Sequence, residues 1–233
     1  PGARKVLTEA IVSLIDNRVA LDYVYGVPQA GIAPAILVCL KLNKPLLIKN
    51  GNKYFSININ IVKELVKDIL KDFTESIDII AGTTPLGIIF GITAAEQLNK
   101  KFLFVREQPK NYGLREQVEG IIERDARIFL MDPTCNHTKN YVLEAIRALT
   151  DHGMEVIEFC SPNISSYMKD TSLSSKTIIS IDDVTSTGKS SLVDISDLID
   201  MGAVVLPRSI FSYDFPIAER NFNDYGLTSK SIL

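Results

Sequence analysis

Cysteine is scarce in this sequence. Cys39, Cys135 and Cys160 are the only three in 233 residues. They are too few and too scattered for a disulfide framework, which points to a reducing compartment. Cationic charge is also limited: 25 Lys and Arg against 28 Asp and Glu leave a formal net charge of −3. With no long basic run, a nucleic-acid partner is not expected. Long apolar runs are missing as well. The longest, GIAPAILVCL, stops at Lys41 and is too short to cross a bilayer. No signal-peptide pattern is seen, so the expected location is cytoplasmic, with no membrane partner. No low-complexity linker divides the chain. What remains is a globular composition, 46% hydrophobic and 23% charged. That is enough for one large α/β domain or two small packed modules.

The most informative feature present is repetition. Asp22 to Lys49 reads DYVYGVPQAGIAPAILVCLKLNKPLLIK, and Asp78 to Arg106 reads DIIAGTTPLGIIFGITAAEQLNKKFLFVR. Slid by 56 positions, Asp22, Gly26, Gly31, Ile32, Ile36, Leu42, Asn43, Lys44 and Leu47 meet identical partners. Each copy reads as strand, glycine-flanked loop, helix, strand. A second pair follows. Arg127 to Phe159 and Ile178 to Phe211 each give a strand, a loop, an amphipathic helix, a glycine (Gly153, Gly202) and a further strand. Between the two first halves, KNGNKYFSININ predicts a hairpin, and Ile61, Val62, Leu65, Val66, Ile69 and Leu70 form one helical face. Alternating strand and helix predicts a Rossmann-like α/β fold with mostly parallel sheets covered on both faces. The simplest parse is nested. An outer module, 1–49 plus 171–233, carries an inserted module, 50–170. A single fused sheet is the alternative.

KTIISIDDVTSTGKSSL, Lys176 to Leu192, carries the chemistry. Asp182 and Asp183 leave the carboxyl end of a strand, where α/β sheets bind ligands, and paired carboxylates there accept hydrogen bonds from sugar hydroxyls. Thr185, Ser186, Thr187, Gly188, Lys189 and Ser190 then turn into a helix whose amides and dipole favour a phosphate. Together these describe a ribose 5-phosphate site. A Walker loop is excluded, because Asp183 stands where its first glycine belongs. An isolated Asp-Asp or Thr-Gly is more commonly a solvated strand end with a helix cap. The earlier copy, ARIFLMDPTCNHTKNYVL, reads as degenerate. Aligned on its single acid, it puts Met131 at the place of Asp182, follows Asp132 with Pro133, replaces Ser186, Thr187 and Gly188 with Cys135, Asn136 and His137, and runs two residues longer to its glycine. No phosphate cradle is expected there. Cys135, His137, His152 and Cys160 match no zinc spacing.

IISIDDVTSTGKSS resembles the phosphoribosyl-pyrophosphate (PRPP) motif of type I phosphoribosyltransferases. IDIIAGTTPLGIIFGITAAEQLNKKFLFVREQPKNYGLREQVEG and the closing SIFSYDFPIAERNFNDYGLTSKSIL are similar to the orotate branch of that family. KNGNKYFSININ is a weaker likeness of its base-binding hairpin. The resemblance implies transfer of phosphoribose from PRPP to a nucleobase, orotate first, giving orotidine monophosphate and pyrophosphate in pyrimidine biosynthesis. Asp182 and Asp183 would bind the ribose hydroxyls and Thr185 to Ser190 the 5′-phosphate. Lys110 would be the catalytic lysine, with Arg106 near pyrophosphate and Lys53, Tyr54 and Phe55 near the base. Mg2+ would be held mainly by PRPP, with no direct protein ligand. Two departures stand out: Tyr112 replaces the usual histidine of the catalytic loop, and Glu107 adds repulsion toward pyrophosphate. The resemblance also implies a pseudo-dimer of two modules, or a homodimer, in which Lys110 of one module serves the PRPP element of the other. The alternatives are a phosphoribosyltransferase for another base and a non-catalytic PRPP- or nucleotide-binding paralogue.

Overall fold

A computed structural model describes residues 2–16, 18–28, 31–71, 76–106, 108–109, 116–132, 139–160, 165–185, 188–213 and 215–232. The chain forms two compact units, one from Gly2–Asn60 with Tyr167–Leu233 and one from Ile61–Ser166. The outer unit opens with α1 (Gly2–Ser13), β1 (Tyr23–Gly26), α2 (Ile32–Leu42), β2 (Leu46–Asn50) and β3 (Lys53–Ile57). The chain then runs through α3 (Ile59–Leu70), β4 (Ile79–Thr83), α4 (Thr84–Gln97), β5 (Lys101–Val105), β6 (Val118–Glu119), β7 (Arg127–Met131), α5 (Lys139–Asp151) and β8 (Glu155–Cys160). It returns with β9 (Lys169–Asp170), β10 (Thr177–Thr185), α6 (Lys189–Asp200), β11 (Val204–Ser212), α7 (Pro216–Asn223) and β12 (Lys230–Ser231). No helix among the described residues is long and apolar enough to cross a membrane.

The outer sheet has seven strands in the order β12-β11-β10-β1-β2-β3-β9, and the inserted sheet five in the order β6-β5-β4-β7-β8. Both are parallel at their centres, with antiparallel pairing at the β3 and β6 sides. Read from the opposite edge, the inserted sheet repeats the order of the outer sheet's inner five strands. Each unit has its own apolar core. Ile79, Leu103, Ile128 and Leu149 are fully buried in one, and Ile178, Leu198 and Tyr25 in the other. Each such aliphatic side chain contributes roughly 1.5–3 kcal/mol of transfer free energy.

The likeness of the units extends to single hydrogen bonds. The Asp22 carboxylate accepts from the Thr177 amide at 2.8 Å, and the Asp78 carboxylate accepts from the Arg127 amide at 2.9 Å. Asn43 and Asn99 both sit at φ 53 just past a helix, where asparagine tolerates the left-handed conformation. The Lys44 and Lys100 amides then close back on the carbonyls of Cys39 and Ala95 at 3.2 and 2.8 Å.

The structure places the predicted hairpin differently from the nested reading. β3 pairs antiparallel with β2, Lys49 against Tyr54 and Asn50 against Lys53, so the hairpin belongs to the outer sheet and the chain crosses between units only after Asn60. Five backbone pairs hold it there, which a boundary at residue 49 would break. The inserted unit has the matching strands β5 and β6, but Val105 pairs with Val118 and the intervening segment is long. The outer copy of that segment is therefore a two-residue turn at Gly51-Asn52, and nothing interrupts the chain at Lys49.

Candidate functional site

β10 delivers Asp182 to the carboxyl end of the sheet, where it is only 8% exposed. Its Oδ1 accepts the Asp183 amide at 2.8 Å, and its Oδ2 accepts the Ser191 hydroxyl from the first turns of α6. Burial pushes the Asp182 carboxyl up to about 6, partly opposed by the Ser191 hydrogen bond. Asp183 is half-buried beside it. Thr185 closes the strand, buried at 4% exposure. Gly188 then opens α6 with φ +74, a left-handed value that favours glycine, and a Cβ there would lie 2.7 Å from the Phe222 ring. As a glycine it puts no side chain over the helix N-terminus, so no side-chain cap competes for the first-turn amides. Lys189 stands exposed at the first helical position. Ser186 and Thr187 lie outside the described residues, as does the side chain of Ser190. Two carboxylates at a strand end and an uncapped helix N-terminus a few residues on suit a polyhydroxylated, phosphorylated ligand.

The inserted unit corrects the alignment of its own strand–turn–helix with that of the outer unit. Gly26 pairs with Ile181 across β1 and β10, and Gly82 with Met131 across β4 and β7. A Cβ on Gly31 would meet the Ile181 carbonyl at 2.1 Å, and one on Gly87 would meet the Met131 carbonyl at 2.7 Å. Met131 is thus the counterpart of Ile181, and Asp132 is the counterpart of Asp182, buried in the same way at 1% exposure. α5 begins at Lys139 and α6 at Lys189, so the strand-to-helix spacing is identical in the two copies. The inserted copy is longer only within its helix, with 13 residues in α5 against 12 in α6. What it lacks is the second acid, the hydroxyl run and the glycine: Pro133 stands for Asp183, Cys135, Asn136 and His137 for Thr185, Ser186 and Thr187, and Thr138 for Gly188. Residues 133–138, including Cys135, Asn136 and His137, lie outside the described residues. No cluster of three metal-ligating side chains occurs among the described residues.

Arg106 follows β5 and is 7% exposed. Its Nε and Nη2 donate to the two carboxylate oxygens of Glu119 at 2.7 and 3.0 Å, and its guanidinium lies 5.2 Å from the Phe104 ring centroid. Its amide donates to the Gln117 carbonyl, and the Gln117 side chain donates back to the Arg106 carbonyl at 3.1 Å, tying the base of the long segment. Glu107, Lys110 and Tyr112 lie outside the described residues. Of the residues expected near the base, Tyr54 is a core residue at 2% exposure, edge-on to Tyr25 with ring centroids 6.0 Å apart. Burial raises its hydroxyl to about 12. Lys53 is exposed and lies 3.6 Å from Asp170, and Phe55 is half-buried. Lys53 and Phe55 are thus accessible on the hairpin, and Tyr54 is not.

Three features were not expected from the sequence. Ser191 grips Asp182 from the helix, Glu119 holds Arg106, and a cavity of about 390 Å³ adjoins Thr185. A serine in the first turns of a helix that follows a strand-end acid is a readable signal for the first. The other two depend on partners distant in the chain.

No family model matches the chain. Among curated proteins, it is 35% identical over 92 residues to the orotate phosphoribosyltransferase of Streptococcus agalactiae serotype III (strain NEM316), covering 40% of this chain and 43% of that protein. To the orotate phosphoribosyltransferase of Bacillus pumilus (strain SAFR-032) it is 30% identical over 96 residues, 41% of this chain and 45% of that one. The chain thus spans less than half the length of the curated relatives it matches. Among solved structures, the Mycobacterium tuberculosis H37Rv orotate phosphoribosyltransferase in complex with PRPP matches at 11% identity and TM-score 0.26, covering 76% of this chain and 72% of that one. The adenine phosphoribosyltransferase of Leishmania tarentolae matches at 14% identity and TM-score 0.35, covering 77% and 88%.

Proposed function

From a sequence relationship to orotate phosphoribosyltransferases, we propose that this chain binds PRPP at the β10–α6 element and transfers its phosphoribosyl group to a nucleobase. The observation that carries the reading is the pairing, within one strand–turn–helix, of the Asp182-Asp183 carboxylates with the helix opened by Gly188. Asp182 and Asp183 accept hydrogen bonds from the ribose hydroxyls and fix the sugar. The Thr185–Ser190 turn and the first-turn amides of α6 hold the 5′-phosphate. A ring nitrogen of the base then supplies the electron pair for the new bond to C1′. The C1′–oxygen bond breaks toward pyrophosphate, and the ring proton leaves to water. Orotate is the acceptor that the relatives' names supply.

Mg2+ belongs to the proposal as a partner of PRPP, and when bound it neutralises charge building on the leaving pyrophosphate. The two strand-end carboxylates are hard oxygen donors that tolerate such an ion nearby. Lys110 is assigned the remaining positive charge toward pyrophosphate.

The test is PRPP-dependent release of pyrophosphate with a panel of bases, orotate included, set beside PRPP binding by titration calorimetry. The reading expects both in the unmodified chain and neither in Asp183→Asn. Retention of both in that variant would refute it. Turnover that is undiminished in Lys110→Ala would remove that residue from the scheme. A second reading, PRPP binding without turnover, draws support from Arg106, which is committed to Glu119. It expects binding with no pyrophosphate released by any base.

A further inference from the structure

Ser191 belongs to both halves of the strand–turn–helix. It is the third residue of α6 and only 3% exposed. The Leu192 amide is taken up by the Gly188 carbonyl at 2.9 Å, so the Ser191 amide lies just ahead of it, in the first-turn set that an anion would use. Its hydroxyl donates to Asp182 Oδ2 on β10, while Oδ1 accepts the Asp183 amide. Closeness alone does not make such a bond. Ser209 lies in register with Asp182 across β11 and is 2% exposed, yet its hydroxyl has no hydrogen-bond partner. The degenerate copy keeps the buried acid, Asp132, but has Tyr141 at the matching distance, where the outer copy has Ser191.

The buried carboxylate depends on this donor. Burial pushes Asp182 up, the Ser191 hydrogen bond opposes it, and the Asp183 carboxylate adds to the upward push. Among the described residues, Asp183 is the one charged group acting on Asp182. The elements packed around it are uncharged there: β1 runs on into Val27, β11 brings Ser209, and α6 brings Ser191, with Lys189 exposed at the head of the helix. We infer that Ser191 is a positioning residue of the PRPP site: its hydroxyl clamps the Asp182 carboxylate to the first turn of α6, so that the acceptor for a ribose hydroxyl and the amides for the 5′-phosphate are held in one geometry. This role rests on the reading of β10–α6 as a PRPP site and adds the Ser191 hydroxyl, which that reading does not use. Unclamped, the carboxylate turns about its side-chain torsions and takes up a proton more readily, and both effects weaken its bond to ribose.

The experiment is calorimetric titration with PRPP and Mg2+ at pH 6, 7 and 8, for the unmodified chain, Ser191→Ala and Ser209→Ala. Alanine suits a helix and leaves the backbone amide at 191 in place, so Ser191→Ala reads the hydroxyl alone. PRPP affinity should fall about tenfold at pH 7, with the deficit wider at pH 6 and narrower at pH 8. Ser209→Ala should stay within about twofold of the unmodified chain throughout. In an Asp182→Asn background, Ser191→Ala should cost less than about twofold, because Ser191 acts through that carboxylate. No deficit in Ser191→Ala, a deficit equal at all three pH values, an equal deficit in Ser209→Ala, or full additivity with Asp182→Asn would overturn the inference while the PRPP site stands. Failure of the unmodified chain to bind PRPP would overturn the inference and the proposed function together.

Discussion

Asp182 and Asp132 hold the same place on two sheets that share the order of five strands, both buried at the end of a central strand and both the same distance in sequence from the helix that follows. One step further the copies part. The outer chain continues with Asp183 and reaches its helix through Gly188; the inserted chain continues with Pro133 and arrives through Thr138. The scaffold of the strand–turn–helix and the side chains it carries are thus separable. The strand pairing, the Asp22 and Asp78 hydrogen bonds and the asparagine caps are kept in both units, and the residues between the first strand-end acid and the helix carry the difference in proposed ligand binding. The long segment shows the reverse. The inserted unit keeps it, tied at its base by Arg106 and Gln117, whereas the outer unit reduces it to a turn at Gly51-Asn52.

The largest expected effect breaks the comparison at its second acid. Asp183→Asn removes a charged acceptor from the ribose hydroxyls, each such hydrogen bond contributing about 1.5–3 kcal/mol, so PRPP affinity measured by calorimetry should fall about 100-fold. The substitution Pro133→Asp in the inserted copy should add no PRPP binding, because the turn there still lacks its glycine.

Protonation of Asp182 comes next. Its carboxyl is pushed up to about 6 by burial, so the ionised fraction falls about tenfold between pH 7 and pH 5, and PRPP affinity should fall with it. The Asp182→Asn variant should lose that pH dependence. Stability should move the other way. Between pH 4 and 6 the folded chain binds more protons at this site than the unfolded chain, so this group's contribution is most favourable below about 4 and declines as pH rises through 6. At pH 7, Asp182→Asn should therefore raise the melting temperature, by the equivalent of roughly 1–3 kcal/mol, and at pH 4 it should change it little.

Gly188→Ala tests the turn. A left-handed φ of +74 and a ring atom 2.7 Å from the new methyl group should cost about 1–2 kcal/mol in thermal unfolding, more if Phe222 cannot shift. The smallest effect separates the two caps. Asn99→Gly should stabilise by about 0.5 kcal/mol, since glycine prefers that conformation. Asn43→Gly should show no net gain, because the Asn43 side chain also accepts a 2.7 Å hydrogen bond from Asn60.

Much of this architecture was legible in the sequence because it is written in local patterns. The strand-glycine-helix units and the helix that opens after Gly188 are short-range signals. The register of the degenerate copy was not. Aligned on its acid, the sequence equates Met131 with Asp182, whereas the fold equates it with Ile181 through a carbonyl packed on Gly87, a contact between residues far apart in the chain. The hairpin itself was legible, but the unit it joins was not, for a similar reason. Alternation in KNGNKYFSI announces strands but not the sheet they join, and pairing with β2 sets that. Tyr54 looked available to a base and is instead core, because period-two alternation leaves open which face is buried. The cavity beside Thr185 draws on four elements, β10, β11, α7 and β12, and leaves no motif.

The most direct test of the central claim, that the outer copy alone holds the PRPP site, is calorimetric titration of the intact chain with PRPP and Mg2+. The account predicts one site per chain, lost in Asp183→Asn and retained in Asp132→Asn. Two sites per chain, or binding that survives Asp183→Asn and disappears with Asp132→Asn, would contradict it.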